Sequence, residues 1–527
     1  MFALIILSLC VLLHLQTASP APQYPHIFFV LTDDAGFGVW PSQGVIKTPA
    51  LDELAKESFV LNEFYAWQFC SPSRGAFLTG RYPWRLPNSR INLIPSYVLD
   101  GTPLGYNMLP RRLASRNFLS YHSGKWHQGL AWNEFTPLAR GFNYTDAFLS
   151  GGEDHFTQVA DLSVGDCNSP GSSIRDAWFM NSTSLGAIGE YTGTRFSQRA
   201  VEYVEQHAQN FPDKSMFLYL ALHNTHGPLE ALPEYIKMYN STYPFPQQHS
   251  YYAMMSTVDD TIANLTAAIK KAGLWDNSIF IFTTDNGAPV QVGGTNYPLR
   301  GGKGSNWNGG FQVPFMISGG ALPASQRGKV APLGNPLSIT DMYATILSIA
   351  GINDASDPGG PAAIDSLNAW PFLSGQVPPS PRADVPLVID HNMYTDQDKA
   401  FGAIRLKNYK LLIGSIEGEM QSSWYGHFSP NASVPMPSLN YTACSHGIPP
   451  YGCLFDVVTD PSEHNDLATQ LPDVMNQMLE LFYSYNSSYH PPKNNPPSDE
   501  KGLCQAALAN DRIVTPWRTD PPPEYLY

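Results

Sequence analysis

A chain of 527 residues exceeds what one hydrophobic core serves, since cores stop growing at about 250–300 residues, so one large and one smaller domain are expected. The formal net charge of -14 argues against a nucleic-acid binder, which needs a basic surface to release counterions. It leaves room for an anionic small substrate, because a few buried Lys, Arg or metal charges dominate a pocket whatever the total.

The first stretch, "FALIILSLCVLLHL", is apolar and runs into "QTASPAP", which reads as a secretory signal over residues 1–20 with cleavage near Ala18 to Ala21. Its leading segment has no Lys or Arg, which leaves a membrane-anchoring helix as the alternative. Later apolar runs fall short of the ~20 residues that span a bilayer, so no span is expected in the mature chain. Sequons at Asn143, Asn181, Asn240, Asn264, Asn431, Asn440 and Asn486 are compatible with a secretory route. Cys10 leaves with the signal. Of Cys167, Cys444, Cys453 and Cys504, the expected disulfide pair is Cys444 with Cys453, which are close in sequence and flank a Gly/Pro-rich turn.

Short β-type runs then end abruptly in clustered polar residues. "HIFFVLT" (26–32) ends in Asp33 and Asp34, "MFLYLAL" (216–222) ends in "HNTHGP", and "SIFIFTT" (278–284) ends in Asp285 and Asn286. Each reads as a buried strand of a mainly parallel sheet, too short and too β-branched or aromatic for a helix. Between them, "TRFSQRAVEYVEQHAQ" (194–209) and "YYAMMSTVDDTIANLTAAIKKAG" (251–273) carry helical periodicity, the second closing at Gly273. The alternation predicts an α/β fold with a large, mostly parallel, doubly wound sheet sandwiched by helices, and ligands in such sheets bind beyond the carboxyl ends of the strands. The three polar clusters are therefore expected on one rim. After about residue 375 the texture changes to a linker, "SGQVPPSPRADVP", followed by strand-like "AFGAIRLKNYKLLIG". A smaller α+β domain is expected over 386–527, with a helix near "LPDVMNQMLELFYSY" (471–485) and an irregular Pro-rich tail, which leaves 23–385 as the larger domain.

Asp33, Asp34, Asp285 and Asn286 form an all-oxygen donor set suited to a hard divalent cation such as Ca²⁺ or Mg²⁺, and unsuited to zinc. One Asp pair after a strand reads first as a helix cap or a solvated turn; the second acid-amide pair after a second strand shifts the balance to the cation. Lys125 and His127 in "SGKWHQG" are two residues apart, so an extended segment would project both to one side. His226 follows the 216–222 run, and Lys303 sits in the glycine-rich "LRGGKGSNWNGGFQVP". Singly, a loop lysine reads as solvated and a histidine as structural; together they supply what anion transfer needs, cations for an oxyanion and proton donors for a leaving group. Cys70 fits less well: a thiolate is a soft ligand beside a hard-metal site, and a buried inert cysteine is the bland alternative.

"CSPSRGAFLTG" fills every fixed position of the sulfatase pattern C-x-P-S-R-x-x-x-L-T-G, and on this motif the chain resembles the sulfatase family, with its alkaline-phosphatase-like fold. "VLTDDAGFG", "SGKWHQG", "TTDNG" and "LFDVVTDPSEHNDLA" (454–468) are similar to further family signatures, so the resemblance spans nearly the whole mature chain. Two longer segments, "FLYLALHNTHGPLEALPEYIKMY" and "GLWDNSIFIFTTDNG", resemble the N-acetylgalactosamine-4-sulfatase branch of that family. The resemblance implies that a formylglycine-generating enzyme oxidises Cys70 to formylglycine, whose hydrate is both nucleophile and metal ligand. It implies Ca²⁺ held by Asp33, Asp34, Asp285, Asn286 and residue 70; Arg74 and Lys125 supporting the diol; His127 assisting its collapse; and Lys303 and His226 gripping the sulfate and protonating the departing oxygen. One diol hydroxyl attacks sulfur and the other later expels sulfate, a cycle that serine could not complete. The implied substrate is a sulfated small molecule or glycan, GalNAc-4-sulfate of chondroitin or dermatan type, met in a lysosomal or extracellular compartment. A related metal-dependent phosphoesterase and an inactive sulfated-glycan-binding glycoprotein are the competing readings. This chain departs from the family at Asn308 and Gln312, where Glu and Arg are frequent, which is expected to loosen the Lys303 loop or alter the pocket. Asn117 replaces a signature glycine, a mild change because Asn also tolerates left-handed geometry.

Overall fold

The computed structural model describes residues 22–40, 46–86, 93–162, 174–180, 182–183, 189–239, 246–357, 360, 363–391, 400–413, 452–489 and 497–526. Its centre is built from strand β1 (His26–Thr32), helix α1 (Cys70–Thr79), strands β2 (Phe118–Lys125) and β3 (Tyr144–Phe148), helix α2 (Thr192–Asn210), strand β4 (Ser215–Ala221), helix α3 (Pro246–Lys271), and strands β5 (Ser278–Thr284) and β6 (Phe315–Ser318). The sheet runs β6-β5-β1-β4-β2-β3, with short strands at either edge. β5, β1, β4, β2 and β3 are parallel, and β6 joins β5 antiparallel.

Alternation within each strand explains why both faces are covered. Ile27, Phe29 and Leu31 enter one core with Ala76, Phe77 and Leu78 of α1, while Phe28 and Val30 enter the other with Phe196 of α2 and Met254 and Ile262 of α3. Successive side chains point to opposite faces, so an unbroken apolar run is what a strand sandwiched by helices requires. The sheet and its flanking helices are as expected. α3 begins earlier than the 251–273 stretch because Pro246 opens it, and Gly273, at φ 72°, lies just past its end.

The C-terminal part is a four-stranded antiparallel sheet in chain order: β7 (Asp384–His391), β8 (Ala400–Leu406), β9 (Tyr409–Ile413) and β10 (Cys453–Asp456). Helix α4 (Pro472–Asn486) buries Met475, Met478 and Phe482 in the same core as α1. The tail differs from the irregular segment expected. It forms helix α5 (Glu500–Ala509), capped by the Asp499 carboxylate, and its last turn buries Leu526 against Trp132 and Phe135. Apolar Leu503, Cys504 and Ala507 on one face explain the helix, which the surrounding prolines mask in the sequence.

Cys453 and Cys504 each take part in a disulfide, and Cys70 is free. The expected Cys444 partner, the signal segment and the sequons at Asn181, Asn240, Asn431 and Asn440 lie outside the described residues. Among the described residues no helix is long and apolar enough to cross a membrane.

Candidate active site

Parallel pairing of β5, β1, β4 and β2 brings their carboxyl ends side by side, and each end delivers polar groups to one rim. Asp33 and Asp34 follow β1, Asp285 and Asn286 follow β5, His223 and His226 follow β4, and Lys125 closes β2. Cys70 is the first residue of α1 and Arg74 lies one turn on, so both face the rim from beneath. Ligand atoms of Asp33, Asp34, Cys70 and Asp285 all fall within 4.8 Å of one another, as do those of Asp33, Cys70 and His226.

The buried carboxylates are threaded by cations. Lys125 Nζ donates to Asp33 Oδ2 at 2.5 Å, and Lys303 Nζ lies 2.8 Å from Asp34 Oδ1. Arg74 donates through Nε and Nη2 to Asp285 Oδ2 at 3.0 and 2.8 Å, and through Nη1 to the Lys125 carbonyl at 3.0 Å. Asn286 Nδ2 donates to Asp34 Oδ1 at 2.6 Å, while its buried Oδ1 has no partner among the described residues. An amide oxygen left bare amid carboxylates is what a site for a hard cation presents, since a buried acceptor without a donor is costly. The residues present therefore fit a divalent metal.

Electrostatics divide the group. Burial would raise the Asp33 carboxyl, but Lys125, His226, Arg74 and Lys303 together hold it well below its usual range. Burial, with the Asp33 charge, pushes Asp285 up to about 7 despite Arg74. Lys303 is held above the ordinary lysine range, its desolvation outweighed by Asp34, Cys70 and Asp33. Burial, then Lys303 and Lys125, lower His226 to about 4. A helix N-terminus ordinarily eases thiol ionisation, but here burial and Asp33, whose Oδ1 accepts from Sγ at 3.3 Å, push Cys70 up instead.

The sequence-derived residues converge, with differences. The strand stops at Lys125 and His127 sits at φ 54°, so no extended segment aligns the two. His127 Nε2 meets the Ile94 carbonyl at 3.1 Å, which leaves its buried Nδ1 without a partner among the described residues. Burial and the nearby Lys125 and Arg74 keep this ring neutral. His223, left outside the catalytic set by the sequence, is buried in a stack with His155 and His226, ring centroids 4.2 and 5.4 Å away. Asn117 does take the left-handed conformation, at φ 61°. Gln312 is satisfied by Asn62 and Tyr65, while the buried Asn308 side chain has no partner among the described residues. Sequence reasoning missed Tyr251 and Thr225, whose hydroxyls donate to the Asp34 carbonyl at 2.7 and 3.2 Å and fix that residue at φ 61°. No motif or spacing marks them.

The fold and the donor set at its rim suit a protein that handles small anions beside a divalent metal. A family model described as Sulfatase matches residues 25–352. Arylsulfatase J of Mus musculus is 30% identical over 522 residues, covering 95% of this chain and 82% of the relative. N-acetylgalactosamine-6-sulfatase of Homo sapiens is 31% identical over 380 residues, covering 68% of this chain and 67% of the relative. The crystal structure of Ps i-CgsB in complex with k-i-k-neocarrahexaose superimposes with a TM-score of 0.72 at 25% identity, over 92% of this chain and 98% of that one. The chain belongs to the sulfatase family and is a sulfuric ester hydrolase.

Proposed function

We propose that the protein hydrolyses sulfate esters through a formylglycine made from Cys70, with Ca²⁺ held by Asp33, Asp34, Asp285, Asn286 and residue 70. The observation that carries this reading is the cluster of Asp33, Asp34, Cys70 and Asp285 ligand atoms beside Asn286, whose buried Oδ1 has no partner among the described residues. A bound divalent cation supplies positive charge to polarise sulfate oxygens and lower the pKa of the nucleophilic hydroxyl. The chain's own charges support the same substrate. Asp33, Asp34 and Asp285 are matched by Arg74, Lys125 and Lys303, so the cluster itself is balanced and a divalent ion leaves it cationic enough for an ester anion.

Each residue then has a definite task. Arg74 fixes Asp285 through two donors, a rigid fork that lysine could not reproduce. Lys125 holds Asp33 beside residue 70, so that a hydroxyl there meets a carboxylate and an ammonium. Lys303 stays charged and offers a donor to sulfate. His226 is neutral at rest, and an arriving anion favours its protonated form, which prepares it to give a proton to the departing oxygen. His127, with Nδ1 free of other partners among the described residues, is placed to take a proton when the diol collapses. Left unmodified, the Cys70 thiol is a poor nucleophile, because burial and Asp33 oppose its ionisation.

The substrate we infer is a sulfated N-acetylhexosamine of a glycan, supported by the segments similar to the GalNAc-4-sulfatase branch and by a relative named N-acetylgalactosamine-6-sulfatase. The modification requires passage through the secretory pathway and its formylglycine-generating enzyme, with a lysosomal or extracellular destination. Turnover of GalNAc-4-sulfate, GalNAc-6-sulfate and a chromogenic aryl sulfate, with aryl phosphate in parallel and Cys70→Ala as control, tests the reading. Preference for the phosphate, or undiminished turnover by the control, would overturn it.

A further inference from the structure

The turn "DPSEHND" (460–466) takes no part in the chemistry above, yet Glu463 within it is fully buried at φ 54°, a conformation that non-glycine residues adopt only when their surroundings impose it. Its carboxylate serves two donors: Oε1 accepts from Lys410 Nζ of β9 at 2.6 Å, and Oε2 accepts from the Asn308 main-chain N–H at 2.7 Å. Its main-chain oxygen accepts from Arg300 Nη1 at 3.2 Å. The adjoining Ser462 hydroxyl donates to the Pro298 carbonyl at 2.6 Å.

Arg300 and Asn308 are the two ends of the loop that carries Lys303. The ends are drawn together by the Gly309 N–H on the Arg300 carbonyl at 2.7 Å, and the Arg300 guanidinium lies 3.4 Å from the centroid of the Trp307 ring. Inside the loop, Gly301 and Gly304 sit at φ 75° and 78°, positions at which the backbone has little stiffness of its own. The middle of the loop is held from outside, Lys303 N–H donating to the Ala288 carbonyl at 3.1 Å, Gly304 N–H to the Gln68 carbonyl at 3.0 Å and Asn296 Nδ2 to the Gly301 carbonyl at 2.9 Å, which leaves its two ends to be fixed for the Lys303 ammonium to stay over Asp34.

We infer that Glu463 is a positioning residue for Lys303, holding both ends of the 300–308 loop from the C-terminal sheet. The inference rests on the reading of Lys303 as a sulfate ligand. Charge at position 463 matters because both carboxylate oxygens face donors: an amide satisfies one and turns its own N–H₂ toward the other. Lys410 neutralises the buried carboxylate through Oε1, the oxygen other than the one that meets Asn308. The clamp also supplies a hold on this loop where the family's frequent Glu and Arg are replaced by Asn308 and Gln312.

The test uses the full chain with Cys70 conversion matched by peptide mass. Two readouts are followed: KM and kcat for an aryl sulfate, and Kd for inorganic sulfate by calorimetry, which is legible even in variants that do not turn over. Glu463→Gln is expected to raise both KM and the sulfate Kd at least about fivefold. Should that variant fold poorly, Asn308→Pro removes the N–H at the first position of a short helix, where proline is tolerated, together with a side-chain amide that has no partner among the described residues, and keeps the Lys410 pair; with Asn308→Ala as the side-chain control, it is expected to weaken sulfate binding in the same direction. In a Lys303→Ala background neither change should add more than about twofold, since both act through the missing ammonium. Folded Glu463→Gln and Asn308→Pro proteins that bind sulfate as the parent does, or a further full loss in the Lys303→Ala background, would overturn the inference. Unchanged sulfate binding by Lys303→Ala alone would instead remove the reading on which it rests.

Discussion

Specific activity should rise in direct proportion to the fraction of Cys70 that has been oxidised. An ordinary thiol is only a few per cent ionised at pH 7, and burial beside Asp33 moves the Cys70 thiol further from ionising. Unconverted protein therefore retains less than about 3% of a competent nucleophile, even before the cost of placing a sulfur among hard oxygen donors. Preparations made with and without co-expressed formylglycine-generating enzyme would span a range of conversion, measured by the mass of the peptide containing residue 70. A plot of kcat per total protein against that fraction should be a line through the origin, with Cys70→Ala at zero. Cys70→Ser keeps one hydroxyl and lacks the second, so it should release at most one equivalent of alcohol and stop. An intercept well above about 5% of the fully converted rate, or steady turnover by Cys70→Ser, would refute the reasoning.

Asn286→Leu replaces Oδ1, which has no partner among the described residues, and the Nδ2 that donates to Asp34 with methyl groups of similar bulk, and should weaken Ca²⁺ binding about 10- to 100-fold by calorimetry; unchanged affinity would mean that the amide is no ligand. Arg74→Met removes the fork that compensates Asp285 and Asp33, both fully buried, and should cost about 3–5 kcal/mol in urea unfolding of the metal-free protein, with part of the loss recovered when Ca²⁺ is added. Glu153 is buried, neither carboxylate oxygen has a partner among the described residues, and burial with the Asp176 charge raises its pKa well above the ordinary glutamate range. A carboxyl raised in the fold contributes its stability fully below the unfolded pKa and loses it as pH rises through the folded value. Glu153→Gln should thus raise the thermal midpoint near pH 7.5 and leave it unmoved near pH 4, and a shift of equal size at both pH values would contradict this.

Much of the scaffold was written in local pattern. "HIFFVLT" and "SIFIFTT" coincide with β1 and β5 because a strand covered on both faces needs an unbroken apolar run, and the run must end where the chain meets the polar rim. The spacing of Cys70 and Arg74 likewise fixes them on one face of whatever helix holds them. Local pattern failed where a left-handed residue or a distant partner intervened. Lys125 and His127 do not share an extended segment, α5 hides among prolines, and although Thr225 and Glu463 lie in segments the sequence singles out, neither they nor Tyr251 reveal there that they bond to Asp34 or to the end of the Lys303 loop.

The elements, the donor chemistry and the motif around Cys70 are legible along the chain, since these depend on side-chain identity and on neighbours within a turn or a strand. Only the tertiary structure decided which strand ends are adjacent, and hence that Asn286 and Asp34, 252 residues apart, share a site with Cys70. Parallel strands are joined by long crossovers that place no local constraint on order, so the pairing of β5, β1, β4 and β2, and the hold of Glu463 on the Lys303 loop, follow from how the two cores pack.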